Sequence, residues 1–229
     1  MKKIVVLSGA GISAESGIKT FRDSDGLWEN YPVEEVATYD SWYVYGRKAL
    51  MLDFYNQRRR DLKTREPNLA HKIVAELEKE YEVTVATQNI DDLHERAGST
   101  RIIHLHGELT KARGEYSDYY SAKDIGYNDI NLGDKDSGGE QLRPHIVWFG
   151  EAVPELEKAA AATQKADIMI IIGTSLAVYP AAGLVHYARS GAEIYLIDPK
   201  DVASSARFTH IKEKATVGMQ KLKEILMKK

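Results

Sequence analysis

Seven histidines and no cysteine leave this 229-residue chain a short list of reactive groups. Without thiols there can be no disulfide, thiolate nucleophile, CxxC redox pair or thiolate-built zinc site. Catalysis must then come from histidine, carboxylates, hydroxyls or a bound organic cofactor. His106 is the best catalytic candidate. It ends the β-patterned run 101–106 and is followed by Gly107, which opens space beside it. A neutral imidazole there can take a proton from a sugar hydroxyl near neutral pH, although the spacing suits a structural histidine equally well. His104 shares its strand face by period-two alternation. His71, His94, His145, His186 and His210 are scattered over helix or loop positions, with no HExxH and no carboxylate cluster of metal-site type.

Gly9-Ala10-Gly11-Ile12-Ser13-Ala14 fits G-x-G-x-x-G/A and follows directly on an aliphatic run. Such a turn brings backbone N–H groups and a helix start close to a pyrophosphate. A dehydrogenase would next show a second strand ending in an acid about 20 residues on. The segment from Gly17 to Trp28 has no strand character, which disfavours hydride transfer. Four further polar clusters fall at expected strand ends: Gln88-Asn89-Ile90-Asp91, His106-Gly107, Thr174-Ser175 and Asp198-Pro199. Each alone suits a turn or a cap. Together, at the edge where α/β sheets bind ligands, they favour one shared nucleotide site.

The elements that must position these groups alternate. Strands are expected at 3–8, 82–87, 101–106, 167–173 and 193–198, several of them continuous aliphatic runs suited to burial on both faces of a parallel sheet. Amphipathic helices are expected at 68–80, 154–165, 180–190 and 216–228. The pattern implies an α/β chain with a Rossmann-like, doubly wound parallel sheet. Residues 23–66, aromatic-rich and helical, and 108–144, polar and rich in tyrosine and glycine, leave the alternation and return. The domain expectation is therefore 1–22, 67–107 and 145–229 for the sheet, with 23–66 and 108–144 forming a smaller lobe. Gly133–Gly139 reads as a surface loop.

With 31 basic and 34 acidic side chains the chain lacks the positive balance of a nucleic-acid binder. Its apolar runs are too short for a signal peptide or a membrane span. A soluble, cytoplasmic monomer is the expectation.

In family order and over nearly the whole chain, the motifs resemble those of the sirtuins, NAD-dependent protein lysine deacylases. They are Gly9-Ala10-Gly11-Ile12-Ser13, Gly17-Ile18, Phe21-Arg22, Thr87-Gln88-Asn89-Ile90-Asp91, Leu93-His94, Ala97-Gly98, His106-Gly107, Pro144-His145-Ile146-Val147-Trp148-Phe149-Gly150-Glu151 and Gly173-Thr174-Ser175. The resemblance implies NAD as co-substrate, held by Gly9, Ala10, Gly11, Ile12, Ser13, Gly17, Phe21, Arg22, Trp28, Gln88, Asn89, Ile90, Asp91, Gly173, Thr174 and Ser175, with Asp198 and Ala215 near the adenosine end. His106 would be the general base. Acyl-lysine proteins would bind as an extended peptide between Val147-Trp148-Phe149-Gly150-Glu151 and Leu176-Ala177-Val178-Tyr179, with Val147, Phe149, Gly150 and Val178 as contacts.

Tyr55 and Arg58 stand at i and i+3, on one helical face. Spacing alone favours the bland reading, Arg58-Arg59-Arg60-Asp61 as a solvated face and Tyr55 as core. The pair also resembles the Tyr-x-x-Arg signature of class III sirtuins, and Phe54–Arg60 looks like the bacterial members. That implies removal of succinyl and malonyl groups, and more weakly acetyl. One departure is large: most sirtuins bind a structural zinc through four cysteines in the small lobe, and this chain has none. The expectation is a zinc-free lobe held by packing through Tyr116, Tyr119, Tyr120 and Tyr127. A sirtuin-like ADP-ribosyltransferase and a non-catalytic NAD-binding protein remain as alternatives, with a dehydrogenase behind them.

Overall fold

The computed structural model describes residues 1–19, 31–202 and 207–228. Strand β1 (Lys3–Ser8) leads into two short 3-10 turns, Ala10–Ile12 and Ala14–Ser16. Helices α1 (Val33–Val36), α2 (Tyr39–Tyr43) and α3 (Arg47–Leu62) follow, then α4 (Leu69–Glu76), β2 (Glu82–Thr87), α5 (Leu93–Ala97) and β3 (Ile102–His104). Next come β4 (Gly107–Gly114), β5 (Lys123–Asp124) and β6 (Leu142–Ile146), then α6 (Leu156–Lys165) and β7 (Ile168–Ile172). The chain closes through β8 (Glu193–Ile197), β9 (Thr209–Ile211) and α7 (Ala215–Met227).

Six strands form a wholly parallel sheet in the order β3-β2-β1-β7-β8-β9. In order of appearance that is 3-2-1-4-5-6, the Rossmann arrangement, whose switch point lies between β1 and β7. The continuous aliphatic runs split between the faces as a period of two requires. Ile168, Ile170 and Ile172 pack with Ile73 and Val74 of α4 and Met219 and Leu222 of α7. Met169 and Ile171 face Ala159 of α6 and Leu184 in the 3-10 segment Ala181–Tyr187. Burying each such side chain contributes about 1.5–3 kcal/mol, so both faces need their helices.

A third core joins α1–α3 to the antiparallel sheet β5-β4-β6. Trp42, Met51, Phe54 and Tyr55 meet Leu109, Ala112, Ile130 and Trp148 there. The tyrosines expected to hold this lobe do so only in part. Tyr116 and Tyr120 are exposed; Tyr119 packs its ring on His145 with centroids 4.3 Å apart, and the Tyr127 hydroxyl donates to Asp92. The glycine-rich stretch is ordered by Asp136, whose carboxylate accepts from the amides of Gly138 and Glu140 and from the Ser117 hydroxyl.

Three local expectations change. The strand expected through His106 ends at His104, because Gly107, at φ +80°, starts β4 against β6. A Cβ there would stand 2.0 Å from the His145 carbonyl oxygen, so this glycine permits strand pairing rather than opening space for His106. Residues 180–190 hold a 3-10 helix, not an α-helix. The sixth strand, β9, is three residues with one apolar side chain, too short for a periodic signal. No helix among the described residues is long and apolar enough to cross a membrane.

Candidate active site

The carboxyl ends of β1, β2, β7 and β8 open into one cleft of about 740 Å³. That lies within the usual range for ligand sites. Gly9, Ala10 and Gly11 line it from the first turn, Gln88, Asn89 and Ile90 from the turn after β2, and Gly173, Thr174 and Ser175 from the turn after β7. Asp198 and Ala215 also line it, with Ile197 and Lys214. His106 is also in the wall, as are Tyr55, Arg58, Val147, Phe149, Gly150 and Val178. A smaller pocket of about 60 Å³ shares Ala10, Arg58, Asn89 and Ile90 with the cleft and adds Ser13, Ile18 and Asp91. Four polar clusters far apart in sequence thus meet at one sheet edge.

Some expected residues stand elsewhere. The Ile12 side chain is fully buried in the sheet core and does not reach the cleft. Gly17 turns at φ +82° against the Arg65 guanidinium and lines neither pocket. Phe21, Arg22 and Trp28 lie outside the described residues.

The glycine turn works differently from its sequence reading. It is a pair of 3-10 turns rather than the start of a helix. The Gly9 amide donates to Ile172, Gly11 to Gly173, Ile12 to Gly9 and Ser13 to Ala10. These four amides bind the turn to itself and to the turn after β7. A Cβ on Gly11 would stand 2.7 Å from the Gly173 Cα, and one on Gly173, at φ +64°, would stand 2.2 Å from the Ile12 nitrogen. The glycines let two loops at the switch point touch, and that contact shapes the cleft floor.

Asn89 is fixed from three directions. Its amide donates to Thr87 Oγ1 at 3.0 Å, and its Nδ2 donates to the Gly9 carbonyl and to Ser13 Oγ, both at 3.2 Å. Ser13 in turn donates to Asp91 at 2.9 Å. Its single proton being spent there, His71 Nε2 must donate to Ser13 at 3.4 Å. Burial pushes the Asp91 carboxyl up to about 6, against the Leu93 amide and the Ser13 hydroxyl, which pull it down. Burial also takes His71 down to about 4 and His94 well below its ordinary value, so both rings are neutral near pH 7.

His106 holds its ring by Nδ1, 3.0 Å from the Gln88 carbonyl. A carbonyl only accepts, so Nδ1 carries the proton and Nε2 keeps its lone pair. Burial lowers the His106 pKa, with the Gln88 bond partly opposing. The ring is a neutral base at physiological pH, in the tautomer a proton acceptor needs.

Tyr55 and Arg58 share one wall of the cleft. Helical spacing splits the expected solvated run: Arg60 is exposed, Arg58 half-buried, and Arg59 fully buried. Arg59 donates to the Leu109 carbonyl at 2.7 Å and to Asn56 Oδ1 at 2.6 Å, tying α3 to β4, and burial lowers its pKa to about 10. The Tyr55 hydroxyl accepts from Trp148 Nε1 at 2.9 Å, leaving its own proton free. Burial raises its pKa above the usual 10. Arg58 Nη1 donates to the Phe54 carbonyl at 2.9 Å, and the guanidinium lies 4.1 Å from the Phe54 ring centroid. Its Nε is buried and has no partner among the described residues. A cation at a cleft wall with one edge unsatisfied suits an anionic ligand group.

A residue pair that sequence reasoning passed over supports the opposite loop. Arg143, fully buried on β6, forks onto both oxygens of Glu151 at 2.8 Å and lies 3.5 Å from the Trp148 ring centroid. Glu151 also accepts from the Trp148 amide. Glu151 fell within a motif, but nothing in local spacing ties it to Arg143 eight residues back. Phe149 spends its amide on the Ala37 carbonyl and its carbonyl on the Tyr39 amide. It therefore offers the cleft a half-exposed ring rather than strand pairing.

A 3-2-1-4-5-6 parallel sheet with a cleft at its switch point and a tautomer-fixed histidine in the cleft wall define a Rossmann-type nucleotide-binding protein. The Sir2 family profile matches residues 9–180, and the chain belongs to that family. It is similar to an NAD-dependent protein deacylase of Bacteroides thetaiotaomicron, 56% identical over 99% of both chains. It is also similar to one of Helicobacter pylori, 58% identical over 87% of this chain and 86% of the other. Its fold matches the crystal structure of a Sir2 homologue in complex with NAD, with a TM-score of 0.88 and 37% identity over 99% of this chain and 90% of the other.

Proposed function

We propose that this chain is an NAD-dependent protein lysine deacylase that prefers acidic acyl groups, succinyl and malonyl over acetyl. Family membership and the names of close relatives support NAD-dependent deacylation. The acyl preference rests on one observation: a cleft-lining Arg58 guanidinium with its Nε unpaired, next to a Tyr55 hydroxyl with a proton to donate. A guanidinium edge takes a carboxylate bidentately, and an acetyl group has nothing to offer it.

NAD supplies a sugar carbon from which nicotinamide can leave. Ala10, Gln88, Asn89, Thr174 and Ser175 would hold it across the switch point, with Ser13, Asp91 and Ile90 around the side pocket and Asp198 and Ala215 at the adenosine end. The acyl-lysine oxygen would bond to that sugar carbon as nicotinamide leaves; His106 Nε2 would take the proton of a neighbouring ribose hydroxyl, whose oxygen attacks the acyl carbon, and one water completes the transfer as the lysine amine departs. Lysine, nicotinamide and O-acyl-ADP-ribose are the products. The Val147–Gly150 loop, with Val178 opposite, receives the acyl-lysine peptide. Residues 1–22, 67–107 and 145–229 carry the NAD half of the site. The insertions 23–66 and 108–144 bring Tyr55 and Arg58 and stand without zinc.

The test incubates NAD with matched succinyl-, malonyl- and acetyl-lysine peptides and follows nicotinamide and deacylated peptide together. Succinyl and malonyl peptides should turn over with the highest kcat/KM. An equal or higher value for acetyl sinks the acyl preference, and protein-bound ADP-ribose without deacylation sinks the deacylase reading.

A further inference from the structure

Two histidines grip consecutive carbonyls of the turn after β2. His106 Nδ1 is 3.0 Å from the Gln88 oxygen, and His104 Nδ1 is 3.3 Å from the Asn89 oxygen. The rings differ at their other nitrogen. His106 has one acceptor and keeps a lone pair; His104 Nε2 lies 2.6 Å from Glu95 Oε1. A carbonyl on one side and a carboxylate on the other are both acceptors, so each nitrogen of His104 must carry a proton. The geometry selects an imidazolium in a buried position, bridging α5 to the backbone of Asn89.

We infer that Glu95 and charged His104 form a positioning clamp that sets Asn89, and with it the nicotinamide side of the cleft, for cleavage of NAD. This rests on the proposed function, with the Gln88–Asp91 turn as the wall away from the adenosine end and so beside the nicotinamide. Asn89 is the hub between that turn and the first one, through its bonds to Gly9 and Ser13. A shift of its carbonyl therefore moves both walls. His104 itself, on β3, lines neither pocket, so it acts through Asn89 and not on substrate.

The surroundings favour the charge. Burial works against the imidazolium, but the bond and charge of Glu95, with Glu108 behind it, outweigh burial and raise His104 above 6.5. The same contact holds Glu95 below its ordinary value in spite of partial burial. The other groups around the ring are Asp91 and His94 on the α5 side, Glu108 and Lys111 on β4, and His145 on β6. Lys111 pairs with Glu108 at 2.7 Å. His94 and His145 are driven well below neutrality by burial, and Asp91 titrates near 6. Of the three histidines here, only His104 has its pKa raised by its surroundings. The clamp is complete below its folded pKa and released as pH rises through it.

The experiment pairs nitrogen-15 NMR of the His104 ring with steady-state kinetics on the full chain, wild type against Glu95→Gln. Glutamine keeps the size of Glu95 and can donate to a neutral ring, so it removes the charge and spares the packing. In the wild type both ring nitrogens should stay protonated up to a pKa above 6.5; in Glu95→Gln the ring should titrate below 6.5. The variant should lose about tenfold in kcat for nicotinamide release, the scale of a small misplacement at a reacting centre, with peptide KM within about twofold. The wild-type rate should also fall on an alkaline limb that the variant lacks. A His104 ring titrating alike in both proteins overturns the clamp, and so does a variant that loses thermal stability but keeps the wild-type pH profile. If no acyl peptide is turned over, the functional reading falls by itself, while the ring titration and the affinity for NAD in the two proteins still decide the clamp.

Discussion

Arg58→Met separates recognition of the acyl group from the rest of the reaction. Arg58 lines the cleft with its Nη1 engaged by the Phe54 carbonyl and its Nε without a partner among the described residues. Hydrogen bonds to charged groups are worth about 1.5–3 kcal/mol each, and the half-burial of Arg58 limits screening by water. Two such bonds in one fork, discounted for partial exposure, give about 3–4 kcal/mol. That is a loss of about 10²- to 10³-fold in kcat/KM on succinyl-lysine peptide. Deacetylation, which does not use the fork, should fall by no more than about threefold. The fold should tolerate the change. Methionine forfeits the Phe54 bond and the stacking on that ring, about 1 kcal/mol each. It also removes a buried Nε without a partner, which relieves about 1–3 kcal/mol. The assay is kcat/KM for matched succinyl and acetyl peptides, with thermal melts as the control. Equal losses on both peptides with an unchanged melting temperature would refute the assignment, and so would unchanged desuccinylation.

Other expectations follow from the same geometry. Tyr55→Phe should cost about ten- to hundredfold on succinyl peptide, one hydrogen bond to a carboxylate, while Trp148 loses only its acceptor; a larger loss on acetyl peptide would count against the role given to the hydroxyl. His106→Gln should cut deacylation by about 10²–10⁴ while calorimetry still finds NAD bound. Because burial lowers the His106 pKa, the wild-type rate should rise with pH through a value below 6.5; an acid limb above 6.5 would contradict this. Glu151→Ala leaves Arg143 buried without its partner and should cost about 3–5 kcal/mol, read as a lower denaturant midpoint. His71 falls to about 4 and His145 to about 3 when folded, so the unfolded chain binds protons the native one refuses. Stability should therefore drop as pH falls from 6.5 toward 4, partly opposed by Asp91, whose raised pKa of about 6 acts in the other sense. A denaturant midpoint flat across that window would show those rings are not held neutral.

Periodicity determined most of the architecture. Runs such as Ile168–Ile172 fit a strand buried on both faces, and Asn68 caps its helix by accepting from the Ala70 amide, at the start expected for 68–80. Local chemistry also marked the strand ends where the cleft forms, since polar residues after aliphatic runs sit where a parallel sheet meets solvent. The sequence could not say what each glycine was for. Gly9, Gly11, Gly107 and Gly173 all proved to mediate backbone contact between segments distant in sequence, and such contacts leave no local trace. Nor could it sort three consecutive arginines. One lines the cleft, one is wholly buried and one is in water, because a helix turns 100° per residue against a wall that only the folded lobe supplies. The two histidines of His104-Leu105-His106 looked alike in sequence. Which is a neutral base and which a charged clamp depends on what lies beyond each second nitrogen, and only the fold brings Glu95 to His104 while leaving His106 beside the cleft.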